Sequence, residues 1–139
     1  MRGDDHIGIS LGVAFLIISP ILLSQPLISV LFLMGVVIGS LLPDADASDS
    51  KMYYMGEIII AFALLMKPIV ILTRVIYKLL HIPYDSRHRK SLHTVLGIII
   101  AVSILSILIN LAVFFIGWWT PYLIPLCVGL YVGSIFHLI

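Results

Sequence analysis

The chain has 139 residues, 61% of them hydrophobic and 11% charged, with a formal net charge of +1. Soluble domains carry roughly 25% charged residues, so this is the composition of an integral membrane protein, read as one membrane domain over 1–139. Its few basic residues are interleaved with acidic ones, which argues against nucleic-acid binding, and Cys127 is the single cysteine, which excludes a disulfide within the chain.

Ile7 to Leu23 is the first apolar segment. At about 1.5 Å per residue it covers roughly 25 Å, enough for a thin bilayer. No Ala-x-Ala-like cleavage site follows Met1–His6, so the segment reads as a retained membrane helix. Ser24-Gln25-Pro26 turns the chain, with Pro26 suited to the first position of a second helix running to Leu42. The two form an antiparallel hairpin. Gly8 and Gly12, and again Gly35 and Gly39, have the four-residue spacing that lets helices approach closely in lipid. From Ile7 to Pro43 the chain carries no charged residue; then Asp44 and Asp46 arrive together.

The polar loop after Leu42 ends in tyrosines suited to the headgroup layer. Ile58 to Leu80 is apolar but holds Lys67-Pro68 near its middle, then Arg74 and Lys78. Pro68 kinks or breaks a helix. Lys67, Arg74 and Lys78 share a helix face, which predicts a broken re-entrant segment or an interfacial helix. A second polar loop contains Asp85, Arg87, His88, Arg89, Lys90 and His93. Val95 to Gly117 is a charge-free transmembrane helix with Ser91 or Thr94 as candidate cap. Trp118–Tyr122 turns the chain, and Leu123 to Ile139 forms the last segment, with Gly129 and Gly133 again four apart and His137 near its end.

Charge distribution selects the topology. If 58–80 crosses the membrane, the basic residues fall on both faces. If it does not, there are four crossings in two antiparallel hairpins and every Lys and Arg lies on one face, the cytoplasmic one, with both termini. The expected fold is therefore an all-α integral membrane protein of four transmembrane helices plus the 58–80 segment, in the cell membrane. This topology also puts His6, Asp44, Asp46, His88, His93 and His137 at one surface.

Imidazoles with carboxylates are the ligand chemistry of zinc, manganese or iron. Spacing alone assigns no site here: His88 and His93 would lie about 140° apart on a continuous helix. Asp44 and Asp46 could instead be a helix-ending polar loop, His88, Arg89 and Lys90 an ordinary basic flank, and His6 a solvated terminal residue. His137 stands in an apolar helix, where an ionisable group is a functional hypothesis by default. Asn110, at mid-depth in its helix, reads as interhelical glue.

Leu42-Pro43-Asp44-Ala45-Asp46, then His88-Arg89-Lys90-Ser91-Leu92-His93-Thr94, then His137-Leu138-Ile139 resemble the successive motifs of the YdjM-like membrane proteins, predicted membrane-bound metal-dependent hydrolases. That family's pattern is an early His, a Pro-Asp-x-Asp loop, a His-Arg-x-x-x-His-Ser loop and a late His followed by Asp. Thr94 stands where Ser is usual. The late Asp is absent, and the chain reads as C-terminally truncated relative to the family. The family in turn looks distantly similar to zinc-dependent phospholipase C and P1-type nucleases.

The resemblance implies a divalent metal, zinc first with manganese or iron as alternatives, held by His6, Asp44, Asp46, His88, His93 and His137. It implies hydrolysis of a phosphoester, with Asp44 or Asp46 accepting a proton and Arg89 facing the phosphoryl oxygens. Membrane lipid is the expected partner and a phospholipid-like molecule the expected substrate. The alternative is a non-enzymatic metal-binding or lipid-binding membrane protein. A metal transporter is disfavoured, because its ligands would sit near mid-membrane.

Overall fold

Residues 3–46, 57–85 and 91–138 are described by the structure, a computed structural model, with side chains for all of them except residues 3–6, 45–46, 57–63 and 65. Five helices follow in order: α1 (Gly3–Ile18), α2 (Pro26–Leu41), α3 (Glu57–Leu79), α4 (Val95–Ile116) and α5 (Leu123–Leu138). A 3-10 turn over Leu42–Asp46 extends α2, and another over Ser91–His93 precedes α4. The described residues contain no strand.

Helix α1 stops at Ile18, short of the expected Leu23, because Pro20 disfavours helical geometry in the residue before it. The turn 19–25 then returns the chain, and Pro26 takes the first helical position of α2. The stretch Pro26–Asp44 and helix α4 are long and apolar enough to cross a membrane, whereas the apolar part of α1 (Ile7–Ile18) and α5 are shorter. By length and composition, then, two of the four expected crossings are met. Leu16, Leu23, Phe115 and Trp118 are each at least 76% exposed. So much outward apolar surface suits hydrocarbon rather than water.

The closest helix pair is α2 with α5. Gly35, Gly39, Gly129 and Gly133 line it, and a Cβ on any of them would collide with a backbone carbonyl of the partner helix: Leu126, Leu130, Phe32 and Val36 respectively. Their pairing order shows that the helices run parallel, since Gly35 meets Leu126–Leu130 while Gly39 meets Leu130 and accepts a hydrogen bond from Ser134 Oγ at 2.7 Å. Gly8 and Gly12 share the same spacing but face open space. There α1 packs through Ser10, Ala14 and Ile18 instead, the stripe at every fourth residue.

Between α4 and α5 the pairing is antiparallel and polar: Ser103 Oγ lies 2.6 Å from Tyr131 Oη, and Asn110 Nδ2 donates to Cys127 Sγ at 3.4 Å. Helix α4 is capped by Thr94, whose Oγ1 accepts from the Gly97 amide at 3.0 Å. It ends at Gly117, in the left-handed conformation, with the Trp118 amide reaching back to the Val113 carbonyl.

Helix α3 is continuous through Pro68, where a kink or a break was expected, so the broken form of the segment is not the one adopted. Pro68 is exposed, on the side away from the buried Met66, Ile69, Val70, Thr73 and Tyr77. The carbonyl it leaves without an amide partner therefore falls on the outer side, not in the packed face. That packed face meets α4 and the 3-10 turn after α2.

Candidate metal centre

Asp44 reaches its place because α2 does not end cleanly. Leu42 keeps helical dihedrals, its amide bonds the Gly39 carbonyl, and the chain tightens into the 3-10 turn. Leu42 is 1% exposed and belongs to the core with Met66, Val70, Leu92 and Ile98. That anchor fixes the carboxylate two residues later.

His93 is set by a turn with several supports. Ser91 Oγ accepts from the Asp85 amide at 2.7 Å. The Ser91 carbonyl accepts from Tyr77 Oη at 3.1 Å and from Thr94 Oγ1 at 2.8 Å. Gly97 lies so close that a Cβ there would strike that same carbonyl. Leu92 is buried beneath the turn, so His93 has little freedom of backbone position. His137 stands in the last turn of α5, 5% exposed, and its height is set by the glycine contacts of α2 with α5.

These three side chains converge. His93 Nε2 and His137 Nε2 are 3.1 Å apart, and they lie 3.2 and 3.4 Å from Asp44 Oδ1. The imidazole rings meet edge-on, with centroids 5.1 Å apart. Among the described residues they form a group of three ligand-type side chains whose donor atoms all lie within 4.8 Å of one another.

The triangle suits a metal. A tetrahedral ion with bonds of about 2.0–2.1 Å separates its ligand atoms by roughly 3.3 Å, and all three edges are close to that value. As neutral ligands two imidazoles, with one carboxylate, would bring a single negative charge to a dication.

Of the residues singled out in the sequence, Asp44, His93 and His137 are brought together. Helix α1 carries His6 one turn before Ser10, and Asp46 ends the 3-10 turn, but both side chains lie outside the described residues. So do His88 and Arg89 entirely, and with them Arg87 and Lys90. Sequence reasoning overlooked Tyr77, which ties α3 to the His93 turn. The signal was its position on the buried stripe of α3, where a hydroxyl needs a partner.

The chain belongs to the YdjM inner membrane protein family, whose family model matches residues 1–139. No curated protein and no solved structure matches it, so the family's distant likeness to zinc-dependent phospholipase C and P1-type nucleases is not shown for this chain. Family and apolar helices together make this a membrane protein with a His/Asp group at metal-binding distance.

Proposed function

We propose that the chain is a membrane-bound, metal-dependent hydrolase acting on a lipid-like phosphoester at the cytoplasmic surface. The observation that carries this reading is the convergence of Asp44, His93 and His137, from three separate segments, at ligand-to-ligand distances. Asp44, His93 and His137 would hold the ion, most simply zinc, and His6, Asp46 and His88 are the further ligands that motif order adds. A bound dication supplies Lewis acidity and brings the pKa of water down towards about 7.

The chain's own residues do the rest. Asp46, where it does not hold the ion, accepts the proton released as water attacks phosphorus and the ester P–O bond breaks, and that proton passes to the departing alcohol oxygen; Asp44 is the other candidate. Arg89 engages phosphoryl oxygens through its planar fork and lowers the cost of the charge gathered there. Burial of His137 and Asp44 keeps bulk water from competing at the ligand atoms. Four crossings, with 58–80 at the interface and all Lys and Arg on the cytoplasmic side, give this site direct access to headgroups.

Elemental analysis of the purified protein tests the reading first, followed by release of phosphate or alcohol from phosphoester substrates, lipid and soluble. Absence of stoichiometric transition metal would sink the metal centre. Bound metal without turnover of any phosphoester or ester would favour a non-enzymatic metal-binding protein instead.

A further inference from the structure

Helix α3 has three sides. Met66, Ile69, Val70, Thr73 and Tyr77 face the protein and are buried. About 100° around the axis, Lys67, Arg74 and Lys78 form an exposed stripe roughly 16 Å long. The remaining sector holds Leu64, Ile71, Leu72, Val75 and Leu79, each at least 41% exposed.

A helix with protein on one side and hydrocarbon on another keeps its cations at headgroup depth, their stems lying along apolar surface. Between Ile58 and Leu80 the charged residues are these three, all cationic. Arg74 is steadied by Tyr84, whose ring centroid lies 5.3 Å from its guanidinium carbon, and Tyr84 packs edge-on against Tyr77 at 5.2 Å.

We propose that the Lys67–Arg74–Lys78 stripe is a binding site for anionic phospholipid headgroups. Charge complementarity selects the occupant: zwitterionic lipids present no net charge to a row of cations, while anionic lipids do. Each Lys or Arg near a membrane surface contributes on the order of a fivefold preference. The stripe also shares a scaffold with the metal-ligand cluster, since Tyr77 on the same helix bonds the Ser91 carbonyl, two residues before His93. This site stands independently of hydrolysis and of metal.

The test uses the full chain reconstituted in nanodiscs of equal parts phosphatidylcholine and phosphatidylglycerol, then extracted in mild detergent. Mass spectrometry counts the retained lipids, and elemental analysis of the same samples follows the metal separately. The wild type is expected to retain phosphatidylglycerol at least about tenfold over phosphatidylcholine. The triple variant Lys67→Gln/Arg74→Gln/Lys78→Gln, whose altered side chains are exposed, should retain both near the bulk ratio, with a melting temperature no lower than that of Arg74→Gln alone, which loses the Tyr84 contact. Raised salt should weaken the wild-type preference. The proposal is overturned if the wild type shows no preference, or if the triple variant keeps it. It is equally overturned if the preference disappears with Arg87→Gln/Arg89→Gln/Lys90→Gln while the α3 triple variant retains it.

Discussion

At one end of the helix bundle, Asp44, His93 and His137 are drawn together from three segments, and a 3-10 turn and a capped helix start hold them there. At the other end, Ser24 and Gln25 are exposed, as are Trp118, Trp119 and Tyr122, and none carries a charge. The first end buries its polar atoms and locks each backbone segment against another. The second turns the chain and leaves its aromatic side chains outward, as residues do at a membrane interface. The difference teaches where precision is spent: helix α5 is pinned to α2 along four glycines, so its C-terminal histidine arrives at a fixed height.

The strongest way to break the comparison is to part that seam. In Gly133→Leu the new side chain meets the Val36 carbonyl. We expect a loss of about 3 kcal/mol or more, read as a fall in thermal stability in detergent, with metal binding lost alongside. His137→Ala separates site from fold. Metal affinity should drop more than about 100-fold, beyond what second-shell changes cost, with the helical circular dichroism intact; calorimetric titration with zinc checks this. Tyr77→Phe is milder. It removes the hydroxyl that bonds the Ser91 carbonyl and lies 3.2 Å from Thr94 Oγ1. Stability should fall by about 1 kcal/mol and zinc affinity by about tenfold.

At the far end the expected effects are smaller and leave the metal alone. Asn110 accepts from Trp119 Nε1 at 3.0 Å and donates to Cys127. Asn110→Ala should lower stability by about 0.6 kcal/mol with zinc titration unchanged. The smallest change sharpens the comparison from the other direction. Helix α3 ends like α4, with the Ile82 amide reaching the Tyr77 carbonyl and the His81 amide the Lys78 carbonyl, but His81 takes the left-handed position that Gly117 takes in α4. His81→Gly should therefore raise stability by about 0.5 kcal/mol, because the relief of a side chain at positive φ outweighs the added freedom of glycine. A denaturation curve read beside that of the wild type decides it.

Much of this was legible from residue order. The absence of charge from Ile7 to Pro43, and the confinement of Lys and Arg to the N-terminus, two loops and one segment, already grouped Asp44, His93 and His137 at one surface. The Thr94 cap and the Asn110 contact followed from residue type and place. Pairing was not legible. Three helices carry glycines four apart, and spacing cannot say that α2 and α5 use theirs while Gly8 and Gly12 face outward. Nor could composition decide the effect of Pro68, because a proline on the outer side of a helix disturbs less than one in its packed face. For Tyr77 the stripe marked a buried hydroxyl but not its partner, because the Ser91 carbonyl that it bonds leaves no mark in a sequence.

The parallel seam of α2 and α5 has a consequence for biosynthesis. Asp44 follows α2 and His93 precedes α4, so both are translated before α5 emerges. Until α5 has packed against α2 in register, the third corner of the triangle does not exist. The three-residue cluster therefore forms last, and a nascent chain stalled before α5 lacks it.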